Sequence, residues 1–212
     1  MLESGMVVQE RYRVVRALGE GGMGAVYRAW DLRLKVPVAL KELRPQPGLG
    51  TTTLAGLRIQ FEQEAAVLAR LNHPNLVRVT DYFEEQGNAY LVMDFVDGRS
   101  LADVILEDGA QSESRALDWG RQLLEALTHC HDQGVIHRDV KPQNIILRPD
   151  NRVMLVDFGL VKLWDPNDPH TRTVMRGMGT PEYAPPEQYG ATTDHRGHRA
   201  TCTAWGLHCI IC

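Results

Sequence analysis

The sequence predicts an α+β protein in two parts, a five-stranded antiparallel sheet carrying one helix and then a mainly helical lobe. Three observations predict it. Short β-branched and apolar runs separated by glycines and polar turns fill the chain up to Phe95, one amphipathic helical stripe interrupts them, and past Asp97-Gly98 the apolar spacing changes to the helical period.

From Tyr12 to Lys41 the runs are broken by glycines and then by Pro37, which reads as a three-strand meander. Pro45 to Gly56 reads as a loop. From Leu57 to Leu71 the apolar positions Ile59 or Phe61, Ala65, Leu68 and Leu71 fall three and four apart on one helix face, and His73-Pro74-Asn75 ends the helix. Leu76 to Phe83 and Ala89 to Phe95 read as strands around the polar turn Glu84 to Asn88. Trp119, Leu123, Leu127, Cys130 and His131 then trace one stripe of a helix running from Glu113 to Gln133. The expected organisation is an N-terminal extension (1–11), a first lobe (12–96), a partial second lobe (97–195) and an aberrant tail (196–212), with the boundary between lobes near Val96 to Ser100.

Composition narrows the function classes. The 212 residues are 43% hydrophobic and 24% charged, as in ordinary globular proteins. With 23 basic against 27 acidic side chains the net charge of -4 gives no pull toward nucleic acid or anionic lipid. Met1 to Glu10 lacks a basic stretch followed by an apolar run, and no apolar run reaches the length of about eighteen residues that spans a bilayer, so the expected location is the cytoplasm.

The chemistry lies in four motifs. Gly19-Glu20-Gly21-Gly22-Met23-Gly24-Ala25-Val26 fits G-x-G-x-x-G-x-V, where glycines let backbone amides approach phosphates. A tight glycine-rich hairpin would explain it equally well if it stood alone. A strand, Val26-Tyr27-Arg28-Ala29, follows it, whereas a dinucleotide fold needs a helix there. Val38-Ala39-Leu40-Lys41 puts an ammonium in an apolar strand, where it needs an anion or carboxylate, and Glu64 on the next helix can supply one. His137-Arg138-Asp139-Val140-Lys141-Pro142-Gln143-Asn144 specifies six positions that recur by chance on the order of once in 10⁸ start points. Thirteen residues after Asn144, an apolar run delivers Asp157-Phe158-Gly159.

On these motifs, from about Tyr12 to Tyr189, the chain resembles the eukaryotic-like (Hanks-type) bacterial serine/threonine protein kinases. The resemblance implies a bilobal protein-kinase-like fold, ATP and Mg²⁺, and transfer of the γ-phosphoryl group to Ser or Thr hydroxyls of protein substrates. It implies that Gly19, Gly21, Gly24, Val26, Ala39, Met93 and Ile146 surround the nucleotide. The backbone of Asp94 and Val96 pairs with the base, and Lys41, steadied by Glu64, meets the α- and β-phosphates. It makes Asp139 the group that orients the hydroxyl and takes its proton, Lys141 the neutraliser of transferred charge, and Asn144 and Asp157 the oxygen ligands of the metal. Lys141 and Thr180, the latter in Gly179-Thr180-Pro181-Glu182-Tyr183, fit the Ser/Thr version of the substrate loop. Thr171 and Thr173 are candidate phosphosites that Arg138 would pair with; two exposed loop threonines without a regulatory role are the alternative. Pro185-Pro186-Glu187 departs from the family's Ala-Pro-Glu, a change expected to be tolerated. Dimerisation between kinases is a further possibility the resemblance opens.

The tail departs from the family. After Tyr189 the family continues with a helix of the type Ser-Asp-x-Tyr-Ser-Leu-Gly, where this chain reads Arg199-Ala200-Thr201-Cys202-Thr203-Ala204-Trp205-Gly206. Reverse translation from the third base of the Arg199 codon, with degenerate third bases left free, can read Ser-Asp-Leu-Tyr-Ser-Leu-Gly, so the expectation is a frameshift within about Arg196 to Arg199. The truncated chain is then expected to turn over weakly or not at all, with a non-catalytic nucleotide-binding fragment as the alternative. A zinc site from His198, Cys202, His208, Cys209 and Cys212 is the rival reading of the tail, although its spacing matches no common finger.

Overall fold

The computed structural model describes residues 2–21, 24–43, 59, 62–63, 65–137 and 139–157. The chain divides into two compact units, Met1–Asn72 with Val77–Val96, and His73–Leu76 with Asp97–Cys212.

Period-two alternation builds the first unit. Its strands are β1 (Val7–Val8), β2 (Tyr12–Gly21), β3 (Gly24–Asp31), β4 (Val36–Leu43), β5 (Val79–Glu85) and β6 (Asn88–Asp94), in the order β1-β2-β3-β4-β6-β5. All neighbours are antiparallel. The five expected strands are therefore joined by a short sixth from the first eleven residues, with Val7 opposite Arg13 and Val8 opposite Tyr12. One face of the sheet is apolar core, where Tyr12, Val14, Tyr27, Leu40, Phe83 and Val92 are buried. Phe83 stacks between Tyr12 at 5.6 Å and Tyr90 at 4.9 Å, so aromatic contact adds to area burial along this face.

Pro37 does not break the meander as its type suggests; it lies inside β4, opposite Trp30. Pairing of β4 with β6 starts only at Val38, so the missing N–H at position 37 falls where β4 has a neighbour on one side only. Residues 65–68 are helical, and Ala65, Leu68 and Leu71 are buried as their spacing requires. Ile59, one of the two alternatives for that face, is 57% exposed, and Phe61 lies outside the described residues.

The strand expected from Leu76 starts later, at Val79, and Leu76 itself belongs to the second unit. The Asn75 side chain donates to the Val153 carbonyl at 2.7 Å and to Gln122 Oε1 at 2.9 Å, while the Asn75 carbonyl accepts from the Leu155 amide at 2.8 Å. Leu76 then makes an isolated parallel bridge to Leu155.

In the second unit, α1 (Leu101–Asp108) opens on Ser100, whose hydroxyl accepts from the Asp103 amide at 3.1 Å. The long helix α2 (Glu113–Asp132) buries Ala116, Trp119, Leu123, Leu127 and Cys130 along the stripe the spacing marks. Three short strands, β7 (Arg99–Ser100), β8 (Ile145–Leu147) and β9 (Val153–Leu155), pair antiparallel in that order, and the turn Pro142–Asn144 feeds β8.

Candidate active site

The strand register places the first set of predicted residues. Val26 lies opposite Lys41, Lys41 opposite Leu91, and Ala39 opposite Met93. Paired residues point to the same side of a pleated sheet, so Val26, Ala39, Lys41 and Met93 share the face away from the aromatic core. Burial along β4 alternates accordingly, with Val38, Leu40 and Glu42 buried and Lys41 partly accessible between them. At the end of β6 the Asp94 amide already donates to the Arg78 carbonyl at 3.0 Å. The Asp94 amide is thus engaged within the first unit. Val96 follows, half-buried, just beyond the strand.

The glycine hairpin joins β2 to β3, with Gly19 opposite Val26 and Gly21 opposite Gly24. Its glycines are not equivalent. A Cβ on Gly24, whose φ is +148°, would run into the Glu42 carbonyl oxygen, so the chain's own backbone forbids a side chain there. A Cβ on Gly19 would meet nothing within 4 Å among the described residues, so none of them requires glycine at that position.

The second set forms one hydrogen-bonded cluster. Asn144 Nδ2 donates to Asp139 Oδ2 and to the Asp139 carbonyl, both at 2.8 Å. Lys141 Nζ sits 2.8 Å from the same Asp139 Oδ2, and the two side chains are each 19% exposed. The turn Pro142–Asn144 creates this geometry: Lys141 is its N-cap, Pro142 supplies the fixed φ of the first helical position, and the Asn144 amide closes onto the Lys141 carbonyl at 2.9 Å. From the other side, the Asn144 carbonyl accepts from the Val156 amide at 2.9 Å, which fastens the residue before Asp157 to the residue that grips Asp139. Asp157 adopts a left-handed backbone, φ +55°, a conformation that costs a non-glycine residue on the order of 1 kcal/mol or more and is concentrated at functional sites. Ile146 lies in β8 opposite Met154, both half-buried, on the face opposite the buried Ile145 and Leu147.

The donor set that Asn144 and Asp157 present is all oxygen, the chemistry a hard divalent cation takes. Both side-chain hydrogen bonds of Asn144 among the described residues leave from Nδ2, so Oδ1 is its atom for such a ligand. Glu64, Arg138, Phe158, Thr171, Thr173, Thr180 and the whole of 196–212, with the residues of the zinc reading, lie outside the described residues. Among the described residues no group of three or more His, Cys, Asp or Glu is arranged to hold a metal.

Residues 12–212 match the family described as Protein kinase domain. The chain belongs to the protein kinase family. The match continues past Tyr189, where the motif resemblance stops. Similar kinases include serine/threonine-protein kinase pkn2 of Myxococcus xanthus, 41% identical over 197 residues, covering 90% of this chain and 23% of that protein. Pkn3 of the same organism is 38% identical over 200 residues, 91% of this chain and 36% of that kinase. PknA of Mycobacterium tuberculosis is 41% identical over 189 residues, 87% and 42% respectively. The chain thus spans less than half the length of these kinases. Among solved structures it is similar to Rad53 1-466 in complex with AMP-PNP, with a TM-score of 0.72 and 26% identity, over 95% of this chain and 47% of that one. The bacterial serine/threonine resemblance and the kinase fold expected from the motifs are both borne out.

Among the described residues three buried polar side chains, Asp31, Glu42 and Asn75, escaped the motif reading. Asn75, 5% exposed, looks in sequence like one part of a helix-ending turn, and nothing local reveals that it bonds across to β9 and α2. Glu42, 2% exposed, could have been found, because β4 alternation puts it on the same face as Val38 and Leu40, where a carboxylate is out of place.

Proposed function

We propose that this kinase-family chain takes ATP as phosphoryl donor and Ser or Thr hydroxyls of proteins as acceptors. The observation that carries the proposal is the Asp139, Lys141 and Asn144 cluster, in which one carboxylate oxygen receives both an ammonium and an amide at 2.8 Å. Asn144 fixes the rotamer of Asp139, so the carboxylate is held to orient a hydroxyl and receive its proton. Lys141 places positive charge where negative charge gathers on the transferred group. Asn144 Oδ1 and the Asp157 carboxylate would hold Mg²⁺, which when bound neutralises phosphate charge. In the first unit, Val26, Ala39 and Met93 offer an apolar surface to the base. The backbone of Asp94 and Val96 pairs with its edge, Gly19 and Gly21 admit phosphates, and Lys41 meets them, with Glu64 as its partner. Thr180 belongs to the acceptor loop, and phosphate on Thr171 or Thr173 would pair with Arg138. Among the described residues no helix is long and apolar enough to cross a membrane, which accords with placing this activity in the cytoplasm.

Calorimetric titration with Mg-ATP and a radiolabelled transfer assay on a generic basic protein test this reading. The expected result is magnesium-dependent nucleotide binding with weak transfer, the transfer lost in Asp139→Asn while binding persists. No nucleotide binding, or transfer that Asp139→Asn leaves unchanged, would overturn it. Binding with no transfer at all assigns the chain as a non-catalytic nucleotide-binding fragment.

A further inference from the structure

Glu42 is the penultimate residue of β4, next to Lys41 but facing the opposite side of the sheet, and it is 2% exposed. Its carboxylate reaches both neighbouring strands. Oε2 accepts from the Tyr27 hydroxyl of β3 at 2.9 Å, while Oε1 accepts from Asn88 Nδ2 at 3.0 Å and from the Tyr90 hydroxyl at 3.3 Å, both on β6. The Tyr27 hydroxyl in turn accepts from the Leu2 amide at 3.1 Å, so the N-terminal segment joins the same chain of bonds. Burying a carboxylate is costly, and an apolar side chain would continue the Val38 and Leu40 pattern without that cost. Something other than burial has to account for a carboxylate at this position.

The position explains the need. Lys41 lies two residues from the end of β4, where strand pairing frays most readily, yet its amine is the group the kinase reading assigns to the phosphates. Glu42 lies beside Tyr90 one row beyond the row in which Lys41 sits between Val26 and Leu91, while Tyr27 reaches its carboxylate diagonally from the row of Leu40, so the two hydroxyls hold it from both neighbouring strands and bracket the row of Lys41. We propose that Glu42 is a positioning residue for Lys41: its buried carboxylate bolts the end of β4 to β3 and β6 and so fixes where the lysine amine points. This rests on the kinase reading only for what Lys41 touches, not for the clamp itself.

Two variants test it on the full chain. Glu42→Gln keeps the shape but weakens the acceptor, and Tyr90→Phe removes one donor while leaving the ring stack. Amide hydrogen exchange without nucleotide is expected to speed up roughly tenfold at residues 40–43 in both variants, with residues 12–18 and 82–84 unchanged. With nucleotide, Mg-ATP affinity is expected to fall roughly tenfold while adenosine, which lacks phosphates for Lys41 to meet, binds as before. Exchange that rises evenly over the sheet or stays the same, or ATP and adenosine affinities that fall together, means Glu42 only packs and overturns the proposal. If the unsubstituted chain binds neither ligand, the kinase reading fails, and the local exchange result alone decides for or against the clamp.

Discussion

Lys41 sits in an eight-residue strand paired on both sides, whereas Asp139, Lys141 and Asn144 sit on a segment that leads through a three-residue turn into a three-residue strand. In the sheet a long ladder of backbone bonds sets direction, and each functional side chain inherits its face from alternation. Around the turn, single side-chain bonds set direction, such as Asn144 to Asp139 and Asn75 to Val153. Backbone geometry is therefore the main weak point of the first unit, with the proposed Glu42 clamp as its polar exception, and polar side chains are the weak point of the second.

The sharpest break of that contrast is Gly24→Ala. Its Cβ collides with the Glu42 carbonyl at a φ unsuited to alanine, so a loss of about 3 kcal/mol, or about 10 °C in midpoint, is expected by thermal denaturation. Gly19→Ala, in the same hairpin but with open space around its Cβ, is expected to stay within about 0.5 kcal/mol of the parent, and equal losses at both positions would erase the distinction between them. Next comes Asn75→Ala, which leaves the Val153 carbonyl and Gln122 without their donor; about 2 kcal/mol is expected in urea titration, although no backbone dihedral needs to change.

A smaller loss concerns pH. Asp31 is 1% exposed, and burial by itself would raise its pKa, but the Arg11 guanidinium at 2.7 Å and the amides of Leu34 and Arg33 outweigh burial and hold it below the usual carboxylate value. A depressed folded pKa means its contribution is complete above the unfolded value, near 3.8, and is lost as pH falls through the folded one. Asp31→Asn is expected to remove about 1 kcal/mol at pH 7 and to flatten the acid side of the stability profile, read from denaturation midpoints between pH 7 and pH 2.

The same contrast explains how much of the protein was legible in its sequence. Lys41, Asp139, Asn144 and Asp157 stood out as motif positions because the proposed phosphoryl transfer would accept few substitutes for them, and the sheet was legible because one buried face enforces period two. Pro37 was misread because its tolerance depends on where β6 stops pairing, a fact held by another strand. The second reason for glycine at 24 was hidden in the same way, since the obstruction comes from residue 42. Asn75 was missed because its partners lie at 122 and 153, beyond any local pattern.

Cys130, on the inward stripe of α2, has no accessible surface, and burial pushes its thiol up to about 12. At neutral pH it is neither ionised nor reachable, so an alkylating reagent can modify it only when the helix around it opens. With Cys202, Cys209 and Cys212 changed to serine, this single thiol becomes a built-in timer for the opening of the helical unit, read by mass spectrometry at equilibrium and without denaturant.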